Sequence, residues 1–292
     1  MTRPLDRVAG AWLPAVVGGA ATLVAAAGLE VRPPGGRGHW ERTNFAGRRV
    51  SLLGGPAVAA GATTAALATA LAGRVNPRNA LAGGVAAAAA GAMGAVDDLG
   101  EDQPHRAKGI RGHLGALARG EVTTGVLKIA GIGAASVAAA ALAVPARPGA
   151  TAGTRTADVL TGAALVASTA NLHNLFDLRP GRTLKVAGLV AGPLALSAPG
   201  TPHGALAAGA CGVAAAGLPD DLRETTMLGD TGANALGALV GTALAAHPSR
   251  VVRAVALATA VGLTLASERV SFSAVISAAD VLRRLDELGR RV

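Results

Sequence analysis

Long stretches of Ala, Gly, Val and Leu that are almost free of charge alternate along the chain with short polar islands. Such stretches predict nine helices, at 8–29, 51–73, 79–96, 125–145, 159–176, 184–198, 204–218, 231–247 and 251–267. Several reach the length of about 20 residues that is needed to cross the hydrocarbon core of a bilayer. Only 15% of the residues are charged, against about 25% in typical soluble domains. The sequence therefore predicts an all-α, polytopic transmembrane bundle of nine to ten helices.

The positions of Lys and Arg predict how this bundle is oriented. When the stretches are threaded through a membrane in order, 18 of the 27 Lys and Arg residues fall on one side and 8 on the other, with Lys128 just inside a span. The positive-inside rule then places the N-terminus outside and the C-terminus in the cytoplasm of a multi-pass cell-membrane protein. We expect residues 1–267 to form the bundle with its cytoplasmic catalytic loops. Residues 268–292 are expected to form a basic amphipathic tail, on the inner leaflet or against the loops.

The net charge of +9 does not indicate a nucleic-acid-binding protein. The basic residues form no single stripe, and aromatic side chains, which stack on bases, make up only 2% of the chain. A cationic face over anionic lipid is the simpler explanation, so membrane lipids are expected partners and nucleic acid is not. Cys211 is the single cysteine, so the chain has no internal disulfide framework.

Two adjacent carboxylates, Asp97 and Asp98, end the third predicted span. They repel each other, so at a membrane boundary they need a cation, a proton or a basic partner. A divalent metal such as Mg²⁺, bound together with a phosphate substrate, would satisfy them, because Mg²⁺ prefers carboxylate and phosphate oxygens. The alternative is a pair of residues that only marks where the helix meets water.

A polar stripe lies at the end of the fifth predicted span. Asn171, Asn174 and Asp177 are spaced three residues apart and therefore share one face of a helix. Their oxygens and amide groups could bind a substrate or a metal. Hydrogen bonding between helices is the alternative.

The Gly-Asp-Thr-Gly segment at 229–232 opens the eighth predicted helix. A helix N-terminus has free N–H groups that favour an anion, and glycine permits a close backbone approach. Asp230 could serve a metal there or act only as an N-cap. Arg48, Arg49 and Lys108 lie in basic loops on the same predicted side and could contact phosphates. Together these groups are the ones that metal-assisted phosphoryl chemistry needs.

The order of these motifs resembles a known family. Gly-Gly before the second span, Val-Asp-Asp ending the third, Asn-x-x-Asn-x-x-Asp ending the fifth and Gly-Asp-Thr-Gly opening a late span are similar to the polyprenyl-phosphate N-acetylhexosamine-1-phosphate transferases. That family includes the phospho-N-acetylmuramoyl-pentapeptide transferase. The resemblance extends from about Gly35 to Gly241. It implies a Mg²⁺-dependent transfer of a sugar-1-phosphate from a UDP-sugar to polyprenyl phosphate, with release of UMP, in cell-envelope glycan synthesis.

The resemblance also implies roles for individual residues. By position, Asp230 corresponds to the main metal ligand, and Asp97 and Asp98 to the pair that orients or deprotonates the lipid phosphate. Asn174 and Asp177 correspond to neighbours of the metal and the nucleotide. Lys108 corresponds to a contact of the diphosphate. A homodimer is compatible with this assignment.

Two other interpretations stay open. The family has a His-rich motif in its last cytoplasmic loop, whereas residues 267–276 read SERVSFSAVI and contain no His. Its Gly after the motif aspartate is Leu178 here. These departures favour a non-catalytic relative that binds polyprenyl phosphate or a nucleotide sugar as a scaffold or regulator. A transporter is the third interpretation, although ion coupling would call for charges near the membrane midplane rather than at helix ends.

Overall fold

The computed structural model describes residues 4–44, 46–72, 75–100 and 124–290. Eleven α-helices lie within these ranges, so the predicted all-α class is confirmed. Nine long helices coincide with the nine predicted stretches: α1 (Pro4–Val31), α2 (Gly54–Ala68), α3 (Pro77–Leu99), α4 (Thr124–Ala143), α5 (Ala152–Phe176), α6 (Arg182–Ser197), α7 (Pro202–Leu222), α8 (Gly229–Ala245) and α9 (Arg250–Ser267). Two short helices follow, α10 (Phe272–Ala278) and α11 (Asp280–Glu287).

Local sequence signals set where several helices begin. The side chains of Asn76, Thr151, Thr201 and Ser249 accept hydrogen bonds from the first backbone amides of α3, α5, α7 and α9. These residue types are the preferred N-caps, because their side-chain oxygens pair with amides that have no partner inside the helix. Helix α8 begins differently. Its N-cap residue is Leu228, whose side chain makes no capping hydrogen bond.

Helix α8 is the centre of the bundle. It packs against α2, α3, α5 and α7, and its residues are buried on all sides. The outer helices pack on this inner group: α1 lies against α2 and α7, α4 against α3 and α5, α6 against α7, and α9 against α5. An apolar helix that is buried all round is typical of the interior of a large bundle.

Small residues allow these helices to approach closely. A Cβ added at Gly237 would lie 2.8 Å from the backbone of Ala170 in α5, and one at Gly241 would lie 2.8 Å from the backbone of Val166. Close backbone contacts at small residues such as Gly are typical of helix association inside a membrane.

Four of the described helices are long and apolar enough to cross a membrane. They are residues 10–31 of α1, all of α3, all of α4 and all of α9. Large apolar side chains are exposed on the outer surface, among them Val16 and Val24 on α1 and Val255 and Leu265 on α9. An exposed apolar surface of this extent is typical of contact with lipid. The nine-span threading and its orientation stay predictions.

Two structured segments flank the end of the bundle that carries the polar motifs. Between α1 and α2, a short 3-10 helix (Arg37–Trp40) leads into an antiparallel hairpin of β1 (Glu41–Thr43) and β2 (Arg49–Ser51). Beyond α9, helices α10 and α11 fold back onto the turn between α5 and α6. There, Asp286 pairs with Arg182. The described part of the predicted tail thus contacts the loops.

Candidate functional site

The carboxylate of Asp98, at the end of α3, caps the N-terminus of α8. One oxygen accepts a hydrogen bond from the backbone amide of Asp230 (2.9 Å), and the other accepts bonds from the amide (2.9 Å) and the hydroxyl (2.6 Å) of Thr231. Asp98 is buried. Its charge lies where the unpaired amides and the positive end of the α8 dipole favour an anion. The sequence motifs at 97–98 and 229–232 therefore form one unit.

Glycines make room for this contact between α3 and α8. A Cβ at Gly94 would lie 2.6 Å from the amide nitrogen of Thr231 and would clash with the backbone of Asp230. Gly229 has a φ of +57°, and a Cβ there would lie 2.9 Å from both oxygens of Asp98. The left-handed conformation and the lack of space both require glycine at position 229.

Lys128 lies between Asp97 and Asp230. Its ammonium group bonds the Asp230 carboxylate and lies 3.6 Å from an oxygen of Asp97. The other Asp97 oxygen accepts a hydrogen bond from Thr124 (3.1 Å). Lys128 is the one charged residue of α4. A lone charge in an apolar membrane helix is costly and usually has a partner. No sequence motif assigns Lys128 a role, although its isolation in an apolar stretch indicates a charge with a partner.

Asp177 follows the last residue of α5 and lies near the same group of carboxylates. Burial raises the pKa of Asp177 well above its ordinary value, and nearby negative charges raise it further, namely those of Asp221, Asp230 and Asp98. Asp221, in the last turn of α7, is buried and accepts a hydrogen bond from the backbone amide of Gly181. Asp221 is not among the predicted site residues, because its position depends on how α7 packs against the turn after α5.

The other two residues of the polar stripe, Asn171 and Asn174, lie within α5, before its last residue. Asn174 is partly buried in the last turn of α5, and Asn171 one turn earlier is exposed. Asp177 is thus the member of this stripe that joins the carboxylates. The predicted phosphate contact Lys108 lies outside the described residues.

The two predicted arginines are held by acidic partners within the loops. Arg48 pairs with Glu224 at 2.6 Å, and Arg49 pairs with Glu41 in the neighbouring strand. Their side chains remain 49% and 77% exposed, so both could still meet a ligand from the aqueous side. Arg42, which the sequence did not single out, donates a hydrogen bond to the backbone carbonyl of Asp98 (3.0 Å).

The carboxylates as arranged do not offer an open set of metal ligands. Both oxygens of Asp98 bind the start of α8, while Asp97 and Asp230 share the ammonium of Lys128. Within the described ranges, no three His, Cys, Asp or Glu side chains come together in a way that could hold a metal ion. The described carboxylates therefore form no open divalent-ion site while Lys128 pairs with them, and we derive no chemical step through a metal.

A cavity of about 450 Å³ opens between α1, α2 and α7, and Asp221 is the one of the aspartates described above that lines it. Its wall is apolar where α1, α2 and α7 meet and includes Leu23, Ala57 and Val58. Its other end is polar and reaches Asp221 and Ser51. A cavity that is apolar at one end and polar at the other suits an amphiphilic molecule.

No family model and no curated protein matches this chain. The functional conclusion therefore depends on the geometry above and on the order of the sequence motifs.

Proposed function

We propose that this protein transfers a sugar-1-phosphate from a UDP-sugar to polyprenyl phosphate at the cytoplasmic face of the cell membrane. The observation that carries the proposal is a charged cluster at one end of the bundle. Lys128 of α4 pairs with Asp97 of α3 and Asp230 of α8, Asp98 binds the start of α8, and Asp177 after α5 lies near these carboxylates. Lys128 lies within a helix that is apolar enough to cross a membrane, and an ionisable residue inside such a helix is a functional-site hypothesis by default.

In the proposed reaction, a phosphate oxygen of the lipid attacks the sugar-linked phosphorus of the donor. A new phosphorus–oxygen bond forms, and the bond from that phosphorus to the oxygen bridging it to UMP breaks, so that UMP leaves with the bridging oxygen and the electron pair. Two anionic phosphates repel each other, and cations that contact them lower this barrier. Lys128 and the exposed arginines Arg48 and Arg49 are the cations of the described chain that we assign to this task.

The surroundings of the site support a lipid-borne acceptor. Helices apolar enough to cross a membrane, α3 and α4, bring Asp97 and Lys128 to one end of the bundle. The cavity beside α1 has an apolar wall for hydrocarbon and a polar end for a head group. A soluble nucleotide sugar would approach from the hairpin side, where Arg48 and Arg49 are exposed. The resemblance adds Mg²⁺ as a prediction.

A specific observation favours a second candidate, a non-catalytic relative that binds the lipid phosphate or the nucleotide sugar. The carboxylates that would hold a metal are already paired with Lys128 and with the start of α8, and the His-rich motif of the family is absent from residues 267–276. Such a protein would bind ligands without turnover.

The two candidates are separated by measuring UMP release from purified protein in lipid vesicles. The assay contains polyprenyl phosphate and a panel of UDP-sugars, with Mg²⁺ or with a chelator. We expect release by the wild type and its loss in Asp230→Asn, while Asp280→Asn, an exposed aspartate in the tail, keeps wild-type rates. Binding of polyprenyl phosphate or a nucleotide sugar, without UMP release from any UDP-sugar, would favour the non-catalytic relative.

A further inference from the structure

The cation at the centre of the candidate site belongs to the chain itself. The ammonium group of Lys128 bonds Asp230 and lies 3.6 Å from Asp97, and its side chain is only 15% exposed. The lysine comes from α4, whereas the two carboxylates come from α3 and α8. The ion pairs therefore join three helices at one point.

An ammonium group and a divalent ion at this point exclude each other. A metal bridging Asp97 and Asp230 would need the oxygens that Lys128 contacts, and the two cations would repel at such a short distance. Asp98 cannot replace either carboxylate, because its two oxygens bind the amides of Asp230 and Thr231. Releasing Asp98 would leave the first amides of α8 without partners, which is unfavourable in a buried site.

We propose that Lys128 is a built-in counter-ion that takes the place of a divalent cation between Asp97 and Asp230. In the protein without substrate, the lysine keeps the affinity of this carboxylate pair for Mg²⁺ or Mn²⁺ low. A bound phosphate would shift the competition between Lys128 and the metal in favour of the metal. It offers the ammonium group another anion and offers the metal further oxygen ligands. This part of the inference rests on the proposed function, whereas the competition between lysine and metal does not.

The competition is tested with Mn²⁺ alone, without nucleotide or lipid phosphate. Protein in discs of phosphatidylcholine is titrated with Mn²⁺, and free ion is measured by electron paramagnetic resonance. We expect Lys128→Gln to bind one Mn²⁺ at least about tenfold more tightly than the wild type, because the competing positive charge between the two carboxylates is removed. Lys128→Arg keeps the charge and should bind as weakly as the wild type. Lys185→Gln is the matched control, because Lys185 contacts backbone carbonyls of the tail.

Two further variants locate the ion. Adding Asp97→Asn or Asp230→Asn to Lys128→Gln should return Mn²⁺ binding to the wild-type level. Because Lys128→Gln leaves Asp97 facing Asp230, its thermal unfolding is also measured with and without Mn²⁺. The ion should raise the melting temperature of Lys128→Gln and leave that of the wild type unchanged.

Either of two results would overturn the inference. The first is binding by Lys128→Gln that is no tighter than wild-type binding, with no effect of Mn²⁺ on its unfolding. The second needs no variant at Lys128: tight binding by the wild type that is lost in Asp230→Asn. Both differ from a failure of the proposed function, since UMP release is measured separately and an inactive protein can still show the expected competition.

Discussion

Asp98 and Thr231 are 133 residues apart in the sequence, yet one carboxylate oxygen of Asp98 accepts hydrogen bonds from both the backbone amide and the hydroxyl of Thr231. The other oxygen of Asp98 accepts a hydrogen bond from the preceding backbone amide, that of Asp230. A side chain of α3 thereby does for α8 what an N-cap residue ordinarily does for its own helix. Because one of the bonded amides is that of Asp230 itself, this contact holds Asp230 at the position where its carboxylate meets Lys128.

Replacing Asp98 should destabilise the whole bundle. Asp98→Ala leaves two buried amides and a hydroxyl without their acceptor, and hydrogen bonds to charged groups contribute about 1.5–3 kcal/mol each. Because three such bonds are lost, we expect a loss of at least about 4 kcal/mol in the free energy of unfolding. Thr231→Val removes one bond and should lose about 1.5–3 kcal/mol. Denaturant unfolding in detergent measures both. Equal stability of Asp98→Ala and the wild type would show that the cap contributes nothing.

Gly94 should not tolerate a methyl group. In Gly94→Ala, the new carbon meets the backbone of Asp230 and Thr231, and overpacking of this kind costs about 1–3 kcal/mol. Gly133→Ala is the matched control, because a Cβ at Gly133 in α4 has no neighbour within 4 Å. That variant should be neutral or more stable by up to about 1 kcal/mol, since alanine favours helix. Melting temperatures that fall equally in both variants would contradict the close packing of α3 on α8.

The position of the helices could be predicted from the sequence, whereas the partners of the charged residues could not. The short stretches at 184–198 and 204–218 are confirmed as α6 and α7 within a few residues at most ends, because hydrophobic runs and capping residues are local signals. Lys128 was missed because α4 is apolar on every side, so the sequence does not show which face meets α3 and α8. Arg42 and Asp221 depend in the same way on how separate segments pack.

Replacing Asp286 by Ala should detach the C-terminal tail from the turn between α5 and α6. Asp286 accepts hydrogen bonds from Arg182 (2.7 and 3.0 Å) and pairs with Arg290 (2.8 Å). The side chain of Arg182 is 5% exposed, so Asp286→Ala leaves a buried charge unpaired, which costs about 3–5 kcal/mol. A nitroxide on Ser277→Cys, in a Cys211→Ala background, should become mobile in Asp286→Ala and stay immobile in Glu287→Ala. An immobile label in both variants would show that the tail stays docked without the Asp286–Arg182 ion pair.

The same contact gives a pH dependence with a defined sign. Burial raises the pKa of Asp286, but the hydrogen bond and charge of Arg182, with Arg290 and Lys185, outweigh burial, so the net pKa lies below its ordinary value. Docking is therefore fully stabilised above the ordinary pKa of a carboxyl group and weakens as the pH falls through the lower folded value. The nitroxide should become mobile only below the ordinary carboxyl range. Release at neutral pH would contradict the ion pair.

A second charge cluster at the opposite end of the bundle should affect stability without affecting the site. Asp158 pairs with Arg250 (2.7 Å), Arg253 (3.3 Å) and Arg147 (3.2 Å). Arg253 is 2% exposed, so Arg253→Ala leaves part of a buried charge unbalanced and should cost about 2–4 kcal/mol. The more exposed Arg147 should cost less than about 1 kcal/mol on replacement by Ala. Equal losses in the free energy of unfolding of Arg253→Ala and Arg147→Ala would contradict this difference between the buried and the exposed arginine.

The most direct test of the proposed function is detection of the lipid product. Vesicles that contain the purified protein, polyprenyl phosphate and a UDP-sugar are extracted and analysed by mass spectrometry for polyprenyl-diphosphate sugar. We expect this product, in an amount equal to the UMP released, from the wild type and from Asp280→Asn, and none from Asp230→Asn. Formation of the product by Asp230→Asn at the wild-type rate, or its absence with every donor sugar, would contradict the proposed transfer.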